Sequence, residues 1–328
     1  MKIAVVGLGA VGGLLAARLA QAGHEVSALA RGATLSAVRQ RGLRLQMGGL
    51  ETTARLTASD DAATLGPQDL VIVALKGPAL AAAAGSIQPL FGPRTAVMPA
   101  MNGVPWWFLQ SAPASAGLTD RTLASVDPGG LIAARLPVER VIGCVVHLTC
   151  SSPEPGLVRH GFGERLIVGE PAGGRSDRVD TVCAALAQAG FKAEATPDIR
   201  REIWFKLWGN MTMNPVSALT GAESHRIIDD PLVLAFMLGT MEEAARIGAR
   251  IGCAITQSGE ERMNVARQLG AFKTSMLQDS LAGRPLEIDA LVGAVHEIGT
   301  RLGIAMPNIG ALLGLTRLMA RQRGLYPG

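Results

Sequence analysis

The sequence predicts an α/β fold in which a parallel-stranded N-terminal domain, residues 1–196, precedes an all-helical C-terminal domain, residues 197–328. Three observations predict it. Short β-branched apolar runs alternate with helix-forming stretches through the first half of the chain. The first of those runs ends in a glycine-rich turn that opens a helix. After Thr196 the strand-like runs stop, and apolar residues recur only at helical spacing.

The N-terminal stretch sets the architecture. Lys2 to Gly7 (KIAVVG) reads as a strand, and Gly7-Leu8-Gly9-Ala10-Val11-Gly12 turns into an alanine- and leucine-rich helix ending near Gln21. Glu25 to Ala30 is a second strand that stops at Arg31. Glycine-rich strings are common in a chain with 40 glycines. Strand, turn, helix and strand in this order nevertheless supply the context that a Rossmann dinucleotide site requires. Gly7 permits the tight turn, Gly9 the close approach of a pyrophosphate, and Gly12 the packing of helix on strand. Backbone N–H groups from Leu8, Ala10 and Val11, with the partial positive charge of the helix start, complete the phosphate cradle.

Arg31 addresses which dinucleotide. An NAD site usually places a carboxylate at the end of the second strand, and here none follows until Glu51. An arginine there pairs with a 2′-phosphate, so the reading is NADP(H). The plain alternative is a solvated arginine at a strand end. A secretory signal is not read from this stretch: glycines break the apolar run, and another buried-type strand follows where a mature terminus would begin.

Composition narrows the partners. Hydrophobic residues make up 48% and charged residues 18%, without an uninterrupted apolar run long enough for a membrane span. The net charge of +4 is the balance of 31 scattered basic residues against 27 acidic ones, with no basic arm, so nucleic acid is not implied. Cys144, Cys150, Cys183 and Cys253 show no CxxC or ligand spacing. No metal is expected, and reduced thiols in a cytoplasmic enzyme are the plain interpretation. The apolar helices of the second half read equally as core or as a homodimer face.

Further along, a weak helix is expected over Thr34–Gln40, with short strands at Leu43–Gln46 and Ala54–Ala58. Asp69 to Leu75 (DLVIVAL) reads as a strand buried on both faces, ending at Lys76-Gly77. Thr95 to Pro99 is another, ending at Met101-Asn102-Gly103. Ligands sit beyond the carboxyl ends of parallel strands, which puts Lys76 and Asn102 on the cofactor edge. A solvated loop lysine and an ordinary Asn-Gly turn are the alternatives. Residues 104–137 break the pattern. Their Pro105-Trp106-Trp107-Phe108 cluster reads as an excursion at the mouth of a site. Val141–Thr149 and Arg165–Gly169 are expected to pair, followed by a helix over Asp177–Ala189 and a last strand at Phe191–Ala195.

The helical half opens at Thr196-Pro197-Asp198, with a capping hydroxyl and a proline at the first helical position. Asp230-Pro231 starts a helix to about Gly252, and Ser258–Glu261 has capping-box spacing and starts one to about Leu281. Helices near Ile288–Leu302 and Asn308–Arg323 close the chain. The chemistry lies in Trp204 to Pro215 (WFKLWGNMTMNP). Lys206, Asn210 and Asn214 are spaced i, i+4, i+8 and share one helix face. Asparagine is a poor interior helix former and Pro215 removes a helical hydrogen bond, so this face serves something other than helix stability. Apolar neighbours around Lys206 disfavour its charged form and suit it to proton transfer; a surface pair with Glu202 is the alternative. Ser275 reads as a carboxylate donor and Glu287 as an acceptor for a hydroxyl or a modulator of Lys206, against a surface serine and a helix-start acid.

With those residues in view, the sequence resembles the ketopantoate reductase family. GLGAVG with Arg31, LKG at Lys76, NG at Asn102, WFKLWGNMTMNP and SMLQDSLAGRPLEID keep the family's order from Gly7 to Asp289. The resemblance implies a Rossmann domain, a helical domain, a site in the cleft between them and NADPH-dependent reduction of a 2-keto acid. It further implies Lys206 as general acid, Asn210, Asn214, Ser275 and Glu287 as substrate contacts, and Lys76 and Asn102 as bridges between cofactor and substrate. Met101 stands where typical members have glutamine, a second substrate-binding asparagine of theirs would fall near Ser224, where this chain has none, and their segment matching Pro105–Pro137 is shorter and less aromatic. Those departures bear on the substrate more than on the reaction. Two rival readings stand beside it: a reductase of a bulkier or aromatic 2-keto acid, suggested by Trp106, Trp107 and Phe108, and a non-catalytic NADP-binding regulator.

Overall fold

The computed structural model describes residues 1–327; Gly328, the last residue of the expected helical domain, lies outside them. The chain divides into two compact units, residues 1–101 with 130–200 and residues 102–129 with 201–328. A single boundary after residue 196 therefore does not describe it: 102–129 leaves the strand-bearing unit and packs with the helices.

The first unit opens with β1 (Lys2–Val6), α1 (Ala10–Gln21), β2 (Glu25–Leu29) and α2 (Gly32–Arg41). Then come β3 (Leu43–Met47), β4 (Leu50–Ala54), β5 (Thr57–Ser59), β6 (Gln68–Val73), α3 (Gly77–Ala83) and β7 (Phe91–Pro99). Five of these strands form an all-parallel sheet in the order β5-β2-β1-β6-β7. Its centre is apolar because both faces are covered: Ile3, Ala4, Val5 and Leu70 to Val73 are fully buried. The strand expected over Ala54–Ala58 is two strands. β4 returns antiparallel along β3 while β5 joins the parallel sheet.

After the excursion, α4 (Leu131–Arg135), β8 (Gly143–Glu154), β9 (Leu157–Gly169), α5 (Asp177–Gln188) and β10 (Lys192–Ala195) complete the unit. A second, mixed sheet runs β10-β9-β3-β4, with β8 antiparallel to β9. Helix α1 packs against strands of both sheets, which explains its small residues. A Cβ on Gly12 would lie 2.0 Å from the Gly7 carbonyl oxygen, and one on Gly13 would lie 2.5 Å from a Val158 methyl.

The second unit is helical: α6 (Ile199–Thr220), α7 (Ser224–Asp229), α8 (Pro231–Arg250), α9 (Gly259–Gln268), α10 (Ser275–Leu281), α11 (Ala294–Arg301) and α12 (Pro307–Gln322). A π-helical turn over Asp289–Gly293 runs directly into α11. Three expectations need correction. The helix expected from Thr196-Pro197 starts at Ile199, because the Thr196 hydroxyl accepts from the Asp198 N–H and closes a turn ahead of it. The helix expected from Ser258 to Leu281 is two. Ser258 forms its capping box, but Gly270 turns left-handed at φ 73° and Thr274 caps a new helix through the Leu277 N–H.

The third correction concerns the aromatic cluster. Trp106, Trp107 and Phe108 are 1%, 0% and 0% exposed, so they are core and not the lip of a site. Phe108 stacks on Trp204 of α6 at 5.9 Å between ring centroids. The irregular segment around them is held by side chains. The Glu297 carboxylate accepts from the Ala124 and Ser125 N–H groups, and Arg301 donates to the Asp120 carbonyl. Large apolar area joined to captured backbone groups replaces regular structure here. No helix among the described residues is long and apolar enough to cross a membrane.

Candidate active site

In the first unit, parallel pairing brings the carboxyl ends of β2, β1 and β6 side by side, with Val6 opposite both Leu29 and Val73. The Gly7–Gly12 turn, Arg31 and Lys76 come directly after those three strands. Gly7 takes φ 92° and donates its N–H to the Leu29 carbonyl, which a side-chain-bearing residue would do only under strain. Gly9 is different. Its φ of −70° suits any residue, and a Cβ there would meet nothing within 4 Å. The protein's own packing does not require a glycine at 9. A ligand lying on the backbone would.

Helix α1 starts at Ala10 with no side-chain cap and no acid in its first turn, so its leading N–H groups are open to an anion. Leu8 is buried beneath the turn, whereas Ala10 and Val11 are half-buried on it. Arg31 is exposed at the start of α2, again without an acid in the first turn. Lys76 is half-buried in extended backbone immediately before α3. An uncapped helix start, a bare glycine and an arginine after the neighbouring strand fit a phosphorylated dinucleotide.

In the second unit, α6 carries Lys206, Asn210 and Asn214 along one face across 22 residues, with Pro215 inside the helix. Trp204, Leu207 and Trp208 are buried and seat the helix, leaving Lys206 half-buried. Trp208 Nε1 donates to the Met241 carbonyl of α8 at 2.7 Å, which fixes the helix rotation. Lys206 Nζ donates to Asn102 Oδ1 at 2.7 Å. Asn102 is held in turn by its two successors in the chain: Gly103 takes φ 82°, and the Val104 N–H donates to the Ala290 carbonyl at 2.8 Å. A Cβ on Gly103 would lie 2.5 Å from that same oxygen. The Asn-Gly turn thus docks on the π-helical turn, a feature frequent at functional sites.

Asn214 is buried, and its Nδ2 lies 3.4 Å from Ser275 Oγ, a long contact at the first residue of α10. Asn210 is half-buried one turn before Asn214 on the same stripe. Glu287 is half-buried and leads into the π turn. Its surroundings are anchored from the chain end. The Leu286 N–H donates to the Leu325 carbonyl, and the Tyr326 hydroxyl donates to the Asp289 carboxylate, which also receives Arg317 at 2.6 Å. Ser224 is fully buried in a loop clasp: it donates to the Gly270 carbonyl and accepts from the Phe272 N–H.

Sequence reasoning missed two features of this unit. One is the Asp289–Tyr326 anchor, for which Tyr326, the only tyrosine of the chain, is a signal. The other is Arg262 of α9, whose Cζ sits 5.0 Å from the Phe205 ring centroid, beside the lysine stripe. Its signal is Gly209, a glycine in mid-helix. Thiol chemistry is not supported at Cys150, where burial pushes the thiol up to about 12. Among the described residues no cluster of histidine, cysteine and carboxylate side chains could hold a metal ion.

Comparison with known proteins gives this geometry a family. The model described as "Ketopantoate reductase PanE/ApbA" matches residues 3–112, and "Ketopantoate reductase PanE/ApbA C terminal" matches residues 198–320. A 2-dehydropantoate 2-reductase from Mesorhizobium japonicum is 45% identical over 99% of this chain and 100% of its own. A crystal structure from Ralstonia solanacearum, titled as a putative ketopantoate reductase, is 58% identical, with a TM-score of 0.95 over 99% of each chain. D-Mandelate dehydrogenase with NADH and anilino(oxo)acetate shares the fold, at 21% identity and a TM-score of 0.85 over 99% of this chain and 100% of that one. The fold alone therefore does not choose the acid. Family models at both ends and a full-length relative at 45% identity do choose the family: this chain belongs to the ketopantoate reductases, oxidoreductases that reduce a 2-keto acid to a 2-hydroxy acid.

Proposed function

We propose that this chain reduces 2-dehydropantoate to pantoate with NADPH, and that Lys206 is the general acid. The observation that carries the proposal is the 2.7 Å hydrogen bond from Lys206 Nζ to Asn102 Oδ1, at the head of the Lys206–Asn210–Asn214 stripe. When bound, the reduced nicotinamide supplies the hydride that adds to the keto carbon. Backbone groups of Gly7, Leu8, Gly9, Ala10, Val11 and Gly12 hold the pyrophosphate. Arg31 pairs with the 2′-phosphate.

Lys76 and Asn102 orient cofactor and substrate, while Asn210, Asn214 and Ser275 hold the acid. Glu287 accepts from a substrate hydroxyl or biases the Lys206 proton. As the alkoxide develops, the Lys206 ammonium stabilises it and then transfers its proton to that oxygen. We place the activity in the cytoplasm, with a small keto acid and no nucleic acid as partner. The aromatic-acid reading rests on Trp106, Trp107 and Phe108, which are buried in the core and offer a substrate no surface.

The test is a steady-state panel with 2-dehydropantoate, pyruvate and phenylglyoxylate, each with NADPH and NADH, on wild type and Arg31→Ala. The proposal expects the highest kcat/KM for 2-dehydropantoate with NADPH. Arg31→Ala should weaken NADPH about ten- to hundredfold, the worth of a charge-assisted pair, and leave NADH nearly unchanged. Faster turnover of the aromatic acid, or none of any acid, would contradict it.

A further inference from the structure

Arg262 reaches from α9 onto the side of α6 that adjoins the lysine stripe. A Cβ on Gly209 would lie 3.1 Å from Arg262 Nε and 3.3 Å from Nη2, so the guanidinium rests on bare helix backbone. Its Cζ lies 5.0 Å from the Phe205 ring centroid. Phe205 and Gly209 immediately precede Lys206 and Asn210, which puts the cation one position, about 100°, around the helix from the stripe. Glycine disfavours a helix interior, and at 209 it makes room for the arginine.

Among the described residues the cation meets no anion. The other half-buried arginines of this unit are met by oxygens: Arg121 by the Gln110 and Ala112 carbonyls, Arg301 by Glu297 and Asp120, and Arg317 by Asp289. No carboxylate, carbonyl or hydroxyl lies within hydrogen-bonding distance of the Arg262 guanidinium among the described residues. Burial pulls its pKa below the usual arginine value with nothing opposing it. A half-buried guanidinium without a counter-charge loses part of its hydration uncompensated and gains most when an anion arrives.

We propose that Arg262 is the receptor for the carboxylate of the 2-keto acid, holding it bidentately beside Lys206 and Asn210. The inference rests on the reductase reading above and adds the residue that selects an acid over a neutral ketone. A planar guanidinium suits a carboxylate better than an ammonium does.

The test compares wild type, Arg262→Met and Arg262→Lys on 2-dehydropantoate and on its neutral lactone, with NADPH affinity and thermal midpoint measured alongside. Arg262→Met should raise KM for the acid about ten- to hundredfold, the worth of a charge-assisted hydrogen bond. Lactone kinetics, NADPH affinity and midpoint should hold, and Arg262→Lys should fall between. Equal losses on acid and lactone, or unchanged acid kinetics, overturn the proposal. Titration with pantoate in the absence of turnover separates this inference from the reductase reading. Binding that is lost in Arg262→Met, or weakened in Arg262→Lys if the first variant does not fold, supports Arg262 even where no reduction is seen. Equal binding in wild type and variant, or none in wild type, overturns it.

Discussion

Lys206 and Asn102 stand 104 residues apart in the chain and meet at 2.7 Å, Nζ donating to Oδ1. The carboxamide is fixed because Gly103 and Val104 dock on the Ala290 carbonyl of the π turn. Asn102→Ala should therefore leave the ammonium without this guide and lower kcat about ten- to hundredfold, the worth of a hydrogen bond to a charged group. The thermal midpoint should stay near that of wild type. Steady-state kinetics and a melting curve on the same preparation check both, and an unaltered kcat would remove Asn102 from the site.

Gly9 and Gly12 separate ligand from packing. A Cβ at Gly9 meets nothing in the protein, whereas one at Gly12 would sit 2.0 Å from the Gly7 oxygen. Gly9→Ala should melt like wild type and bind NADPH at least tenfold more weakly, about 1.4 kcal/mol. Gly12→Ala should destabilise the fold by about 1–3 kcal/mol, the usual cost of overpacking. Fluorescence titration and thermal unfolding distinguish the two. Normal NADPH binding by Gly9→Ala would refute the phosphate cradle.

What the sequence made legible was local. The Gly7–Gly12 turn, the strand over Asp69–Leu75 and the one-face spacing of Lys206, Asn210 and Asn214 each derive from a short-range period or a backbone requirement. What it hid was tertiary. Trp106 to Phe108 lie among glycines and prolines and read as a loop, yet Trp204, some hundred residues on, stacks on Phe108. Residues 259–281 read as one helix, and the left-handed Gly270, the Ser224–Phe272 clasp and the Thr274 cap reveal the break. Arg262 resembles any other helix arginine until its guanidinium is found on Gly209.

Stability of the first unit should carry a pH signature from Glu170. Arg178 donates to its carboxylate at 2.6 Å and Ser176 adds a second donor. The Arg178 guanidinium holds the Glu170 carboxyl below its ordinary value, against the upward pull of burial. Because the folded value is the lower one, this contribution is complete above the unfolded value, about 4.3, and is lost as pH falls through the folded value. Glu170→Gln should cost about 1–3 kcal/mol at neutral pH, with the gap to wild type closing in acid. Melting curves across that range test it, and a constant gap would mean the carboxylate charge is not the cause.

Lys206→Ala removes the proposed proton donor. Turnover of 2-dehydropantoate should fall roughly two to four orders of magnitude, the usual worth of a positioned general acid. NADPH should bind with near wild-type affinity, because the residues proposed to hold its phosphates, Gly7 to Gly12 and Arg31, lie in the first unit. Near-wild-type kcat in that variant, with the cofactor bound, would contradict the account.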